Sequence, residues 1–322
     1  MGKNKKKIFI TGGTGFIGRH LIKKLDRLNI NYYCTTSKKN FSKKNFFYYD
    51  LKKINKKNEK LVINLMKNCY CIVHLAGIAK DENKIFKELW SVNYHSTVSL
   101  IKLAKIAKIK KFINISSVRA TGRMNKCVTE DFYTKADGVY GETKKKSEDY
   151  VYKFGLKNKI NTVNLRLSNV YGSGSKGYVF KLSKLVSRSS LLSLPKIYNK
   201  RSFIHVSDVV DIIIKCIFSN LSDNKTFIVT HNRHVSSSDL FNVLLKYYSD
   251  GSFRIIIPAA FLYFFLYLVK IINYFHDSLF KDFIKFMSTE YYSSNKIEKI
   301  MNWKAKIDIE EGIKEMKKNN KE

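Results

Sequence analysis

The apolar positions of this chain repeat with two alternating periods. Ile8, Phe9 and Ile10 form a short unbroken run, the pattern of a parallel strand buried on both faces. Phe16, Ile17, Leu21, Ile22, Leu25 and Leu28 then recur at helical spacing, which predicts an amphipathic helix ending near Asn29. Gly12, Gly15 and Gly18 stand at the junction, so the segment reads as strand, tight turn and helix. Further strands are expected over 31–36, 46–49, 71–77 and 111–115, with a helix over 93–107 before the last of them. A long helix opens at Tyr140 and runs on through Tyr150 and Phe154. Another covers 209–218, a strand follows at 227–230, and Ser236 caps a helix that reaches Tyr248. Strands separated by helices predict an α/β fold on a doubly wound parallel sheet, with ligands at the carboxyl ends of the strands.

Chemistry-bearing residues collect at those ends. A turn without side chains lets the backbone approach a ligand, and the free N–H groups of the helix start favour an anion, for which a dinucleotide pyrophosphate is the candidate. The same pattern also serves as a plain tight connection. The second strand ends in Thr36, Ser37, Lys38 and Lys39, where a dinucleotide fold commonly places an acid for the ribose hydroxyls. Hydroxyl and ammonium groups at Ser37 and Lys38 suit a 2′-phosphate instead, which tilts the expectation toward NADP(H) over NAD. The third strand ends at Asp50 and Leu51, the fourth at His74-Leu75-Ala76-Gly77, and the fifth at Ser116-Ser117. Tyr140 and Lys144 lie four residues apart on one helix face, and a nearby ammonium favours the phenolate a general acid/base needs. Alone, such a pair is an ordinary surface arrangement; Ser117, able to bond the same substrate oxygen, gives it meaning.

Composition changes this picture little. The 322 residues carry 60 Lys+Arg against 26 Asp+Glu, a formal net charge of +34 that invites a nucleic-acid or anionic-membrane reading. The lysines are scattered along the whole chain beside Asn and Ile, so a solvated basic surface is preferred and no specific nucleic-acid site is expected. The five cysteines, Cys34, Cys69, Cys71, Cys127 and Cys216, show no metal-ligand spacing; reduced thiols in a cytoplasmic protein and no metal site are expected. The basic start is not followed by a signal-peptide core, because Thr11-Gly12-Gly13 breaks the apolar run. The uncharged run from Ile255 to Val269 is shorter than the roughly 20 residues a bilayer span needs and contains Pro258. It reads first as a buried or partly exposed helix, second as a peripheral membrane contact through 255–275, and last as a span.

The motifs together resemble the extended short-chain dehydrogenase/reductases of the nucleotide-sugar epimerase and dehydratase group. The opening T-G-x-x-G-x-x-G stands as Thr11-Gly12-Gly13-Thr14-Gly15-Phe16-Ile17-Gly18, and the family's H-L-A-A/G as His74-Leu75-Ala76-Gly77. Ser117, Tyr140 and Lys144 match the catalytic set, and Asp50, followed by Leu51, matches the adenine-binding position. Asn164-Leu-Arg166-Leu-Ser-Asn169-Val-Tyr-Gly172 is similar to R-Y-F-N-V-x-G, whose Asn faces the sugar nucleotide, and Arg201-Ser-Phe-Ile-His205-Val-Ser-Asp208 to R-D-Y/F-I-H-V-x-D, whose Arg contacts the diphosphate. The resemblance implies that Lys144 also holds the nicotinamide ribose and that Asn169 and Arg201 bind substrate. His205 and Asp208 read as structural, placing the following helix. The loop Gly172-Ser-Gly-Ser-Lys-Gly177 lacks the P-loop order and reads as shaping the sugar pocket.

By this resemblance, residues 1–170 form an NAD(P)-binding Rossmann domain. Residues 171–322 form a smaller substrate-binding portion, of which about 202–232 returns to the sheet. The implied activity is a nucleotide-sugar 4-epimerase acting on a UDP-hexose or UDP-N-acetylhexosamine for surface polysaccharide, as a homodimer. A 4-ketoreductase is the alternative, and a non-catalytic sugar-nucleotide or NAD(P) binder a third. Dehydration is disfavoured, because Val118-Arg119 stands where dehydratases carry an Asp-Glu pair.

Overall fold

Most strands of the first half are followed by a helix that returns over the sheet, the exception being β2, which leads directly into β3. The computed structural model describes residues 7–39, 41–51, 56–79, 86–132, 134–188, 192–193, 196–249, 255–256 and 286–319. In chain order the first half contains β1 (Lys7–Thr11), α1 (Phe16–Arg27), β2 (Tyr32–Thr36), β3 (Phe46–Tyr48), α2 (Lys56–Lys67), β4 (Cys69–His74), α3 (Phe86–Leu89), a π-helical turn (Trp90–His95), α4 (Ser96–Ile106) and β5 (Lys111–Ser117). A 3-10 turn (Val118–Ala120), α5 (Gly138–Asn158), β6 (Asn161–Leu167), β7 (Asn169–Tyr171), α6 (Tyr178–Arg188), β8 (Leu192–Ser193) and β9 (Phe203–His205) follow. The remainder is α7 (Val206–Phe218), β10 (Lys225–Val229), α8 (Ser237–Tyr248), β11 (Ile255–Ile256), α9 (Asn295–Met301) and α10 (Ile309–Asn319).

Seven strands form one parallel sheet in the order β10-β6-β5-β4-β1-β2-β3. This is the doubly wound Rossmann arrangement expected from the alternation, with the order reversing between β1 and β4. Side chains of successive strand residues point to opposite faces, so the unbroken run in β1 feeds two cores. Ile8 and Ile10 pack with Leu21 and Leu25 of α1 and Ile213 of α7, whereas Phe9 packs with Met66 of α2, Leu100 of α4 and Val151 of α5. Burying a side chain of this kind contributes about 1.5–3 kcal/mol.

The structure adjusts several expected boundaries. β4 ends at His74, so Leu75, Ala76 and Gly77 form the loop beyond it. The helix expected over 93–107 begins earlier and passes through the π turn. α7 starts at Val206, because the His205 ring accepts the Ser207 N–H (3.4 Å) and caps it. Within 202–232, β10 lies in the main sheet beside β6, α7 packs on that sheet, and β9 pairs with β7. A third core joins Tyr171, Leu182 of α6, Phe203, Leu244 of α8 and Ile313 of α10. Apart from β11, the 255–275 run lies outside the described residues; among the described residues no helix is long and apolar enough to cross a membrane.

The turn after β1 has no room for a side chain at Gly12. Its φ is +76°, and a Cβ there would stand 2.6 Å from the Ala76 nitrogen. Gly12→Ala is therefore expected to lower the unfolding free energy by more than about 1 kcal/mol, measured by denaturant titration. A variant as stable as the parent would contradict this packing.

Candidate active site

The glycine turn brings β1, α1 and β4 into contact. Gly15 donates its N–H to Gly12 O at 3.0 Å, and a Cβ on Gly18 would meet Gly12 O at 2.3 Å, so the helix starts directly against the strand end. Gly15 is the N-cap residue, no side chain caps α1, and its first turn holds no carboxylate. The uncapped, uncompensated amides of Phe16, Ile17 and Gly18 suit a pyrophosphate. At the end of β2, Thr36 Oγ1 accepts the Lys38 N–H (3.2 Å) and lies 3.5 Å from Thr14 Oγ1. Ser37 and Lys38 are exposed. Tyr49 donates its N–H to Thr36 O (2.9 Å), which sets half-buried Asp50 and Leu51 beside that end. These residues fit a dinucleotide across the switch point of the sheet.

Beyond β4, the Leu75 N–H donates to Thr11 O (3.1 Å) and the Ala76 N–H to Thr11 Oγ1 (3.4 Å). Gly77 follows, and a Cβ on it would stand 3.1 Å from Asn93 Oδ1 and 3.2 Å from Lys144 Nζ. Asn93, in the π turn, brackets the next residue: it accepts the Ile78 N–H (2.8 Å) and donates to Ile78 O (3.0 Å). Its amide also reaches Thr143 Oγ1 (3.3 Å), and its carbonyl accepts from Ser147 Oγ (2.7 Å). The loop bearing Leu75, Ala76 and Gly77 is thus tied to the glycine turn on one side and to α5 on the other. His74 joins Thr11 Oγ1 (2.7 Å) and Thr97 Oγ1 (2.9 Å). Burial and then the Lys144 charge push the imidazole down to about 3, so it is neutral.

Ser117 ends β5, and Tyr140 and Lys144 lie in the first two turns of α5, which starts against the turn that follows β5. Ser117 Oγ accepts the Arg119 N–H (3.3 Å) and opens the 3-10 turn. That turn receives α5 closely: Arg119 O accepts the Asp137 N–H at 2.9 Å, and a Cβ on Gly141 would lie 2.4 Å from the same oxygen. The Arg119 guanidinium pairs with Asp137 (3.0 Å) and lies 5.9 Å from the Tyr140 ring centroid. Lys144, only 8% exposed, donates to Ile115 O at 2.9 Å, two residues before Ser117. Burial pushes its ammonium down to about 8, opposed by the charge of Glu148 one turn later. Glu148 is itself buried, accepts from Ser116 Oγ, and takes a forked pair of bonds from Arg166 of β6, the shortest 2.7 Å.

Asn169 and Arg201 lie at the β7–β9 pair. Asn169 stands opposite Phe203, and its amide donates to Ser202 O (3.2 Å). Arg201, just before β9, is 1% exposed; its guanidinium lies over the Tyr178 ring at 4.6 Å from the centroid. Its backbone exchanges two 3.0 Å bonds with Val235. Asp208 accepts the N–H groups of Lys306 and Ile307 at 3.0 Å each, so it ties the 306–307 segment to α7 rather than, as expected, placing that helix. The loop read as shaping a sugar pocket also touches the glycine-turn helix: His20 bonds Ser173 O (2.9 Å) and Arg19 donates to Gly174 O (3.4 Å).

Sequence reasoning missed Asn93, Thr97, the Glu148–Arg166 pair and the partners of His74. Only the carboxylate four residues after Lys144 signalled any of them. Among the described residues no cluster could hold a metal ion.

Residues 8–229 match the model of the NAD dependent epimerase/dehydratase family. A UDP-glucose 4-epimerase of Vibrio cholerae is 29% identical over 269 residues, 80% of each chain. A UDP-glucose 4-epimerase of Thermotoga maritima, solved with UDP-glucose, superposes with a TM-score of 0.76 at 19% identity over 98% of both chains. The Thermus thermophilus UDP-glucose 4-epimerase, solved with NAD, gives 0.74 at 16% identity over 98% of this chain and 99% of that one.

Two outcomes follow from this geometry. Removing one partner of a buried ion pair leaves the other uncompensated, so Glu148→Ala is expected to cost about 3–5 kcal/mol in chemical denaturation, and replacing both Glu148 and Arg166 by Met clearly less. Lys144 has a folded-state value of about 8, below the 10.5 of a free lysine, so the unfolded chain binds more protons between the two. Stability relative to Lys144→Met should therefore rise as pH climbs through that window, and a flat difference would contradict the buried ammonium.

Proposed function

Since the chain belongs to the NAD dependent epimerase/dehydratase family, we propose that it is a nucleotide-sugar 4-epimerase acting on a UDP-hexose or UDP-N-acetylhexosamine. What supports this above all is the Lys144 ammonium, which bonds Ile115 O at 2.9 Å and lies against Gly77, between the loop assigned to the cofactor and the turn of Ser117. In this reading Tyr140 accepts the proton of the sugar C4 hydroxyl and later returns it. Ser117 bonds the same oxygen, and Lys144 favours the phenolate and holds ribose hydroxyls. Bound nicotinamide supplies the hydride acceptor and donor. The 4-keto sugar turns over between the two transfers, with Asn169 and Arg201 holding the sugar nucleotide. Arg119, ion-paired with Asp137 at 3.0 Å, stands where a dehydratase carries an acid and is always charged, which argues against water elimination.

A second reading, an NADPH-dependent 4-ketoreductase, draws on one observation. The residues after β2, with Ser37 and Lys38 exposed, include no carboxylate to repel a 2′-phosphate. A non-catalytic binder would have no need of Ser117, Tyr140 and Lys144 together.

Incubating the protein with UDP-N-acetylglucosamine, UDP-N-acetylgalactosamine and their 4-keto derivative, with and without NADH or NADPH, separates these readings by NMR. Interconversion without net cofactor consumption is expected, with Tyr140→Phe slower by about 10²–10⁴-fold. Stoichiometric NADPH loss on the keto sugar would mean reduction. No turnover of any nucleotide sugar, with Tyr140→Phe indistinguishable from the parent, would sink the enzymatic reading.

A further inference from the structure

Thr11 and His74 face each other across the β1–β4 ladder, and the bonds that leave this pair run in one direction. Thr97 Oγ1 donates to Asn93 O at 2.7 Å, since a carbonyl only accepts, and this uses its single hydrogen. Thr97 must then accept from His74 Nε2 (2.9 Å), so Nε2 carries the imidazole proton. His74 Nδ1 is left as an acceptor for the Thr11 hydroxyl (2.7 Å), whose oxygen in turn takes the Ala76 N–H (3.4 Å). The chain Ala76, Thr11, His74, Thr97, Asn93 is thus ordered from end to end. All three side chains at its centre are buried: Thr11 is 0%, His74 2% and Thr97 2% exposed.

Its two ends lie at the two halves of the candidate site. The Thr11 end holds Leu75 and Ala76 against the glycine turn. The Asn93 end brackets Ile78 and, through Ser147 and Thr143, grips α5 on the turn that bears Lys144. Gly77 sits between them with no slack, since a Cβ there would already press Asn93 Oδ1 and Lys144 Nζ. We propose that His74, neutral and protonated on Nε2, is a positioning residue that fixes the cofactor-binding loop 75–78 relative to Lys144. The proposal rests on the dinucleotide reading of that loop, not on which sugar is turned over. A core imidazole kept only for its bulk would be replaceable by any apolar side chain of similar volume. An ordered relay is replaceable only by a group that accepts at one end and donates at the other. Misplacement of reacting groups by about 1 Å can cost about 10²-fold in rate.

The test compares His74→Leu with His74→Gln, whose amide can accept from Thr11 and donate to Thr97. It adds Thr97→Val and Thr97→Ser, so that the proposal stays falsifiable if His74→Leu fails to fold. Dinucleotide affinity is read by NADH and NADPH fluorescence titration, turnover by sugar-nucleotide interconversion, and folding by thermal unfolding. His74→Leu and Thr97→Val are expected to bind dinucleotide about tenfold or more weakly, with kcat falling further than KM for the sugar nucleotide changes. His74→Gln and Thr97→Ser are expected to stay within about threefold of the parent. In the parent, imidazole ¹⁵N spectra at pH 7 should show His74 neutral with the proton on Nε2. Parent-like binding by a folded His74→Leu or Thr97→Val, failure of both conservative variants, or an Nδ1-protonated His74 would overturn the proposal. A parent that binds dinucleotide but turns over no sugar nucleotide would end the epimerase reading and leave the binding comparison intact.

Discussion

An ammonium taken out of water needs acceptors and a countercharge, and the arrangement around Lys144 meets that requirement. Ile115 O accepts from it, which holds α5 against the end of β5. Glu148, one turn along, supplies negative charge but is itself buried, and it is matched by the Arg166 fork from β6 and the Ser116 hydroxyl. Lys144 and Glu148 together thereby tie α5 to β5 and β6. The depressed ammonium, held near 8 rather than 10.5, is the cost of this placement. Such a cost at the carboxyl end of a central strand is what a functional group, more than a structural one, gives reason to bear.

The other half of the site depends on backbone contact. Gly12, at φ +76°, lets the β1 turn lie against Ala76, and β1 and β4 are neighbours at the reversal of strand order. The uncapped start of α1 opens at the same place. The two halves meet at Gly77, where a Cβ would stand 3.2 Å from the Lys144 ammonium. Under the proposed function this is where dinucleotide and sugar would be brought together, with the β7–β9 pair and its Asn169 and Arg201 on the substrate side.

Much of this was legible in the sequence because its signals are local. The glycine spacing, the apolar runs and the Tyr140–Lys144 interval each depend on residues within one or two turns, and the parallel sheet follows from their alternation. What the sequence hid depends on partners across the sheet. Among so many lysines, nothing marks Lys111 as fully buried, yet it pairs with Asp223 at 2.7 Å and donates to Ser219 O at 2.6 Å. Asn93 reads as an ordinary helical residue until the π turn aims it at Ile78. The Gly172–Gly177 loop was legible as a loop, but not its contacts with His20 and Arg19, which come from 153 and 155 residues earlier in the chain. Arg201 was legible as special, whereas its stacking on Tyr178 required the fold.

The central claim is that Ser117, Tyr140 and Lys144 serve a reversible hydride transfer at a sugar carbon. The most direct measurement uses UDP-hexose and UDP-N-acetylhexosamine labelled with deuterium at C4, incubated with the protein in ordinary water and examined by NMR and mass spectrometry. The account predicts that the C4 epimer forms with its deuterium still at C4 and with no hydrogen drawn from solvent there. Loss of the label to water in the epimerised product, or recovery of unchanged sugar nucleotide from every labelled substrate, would contradict it.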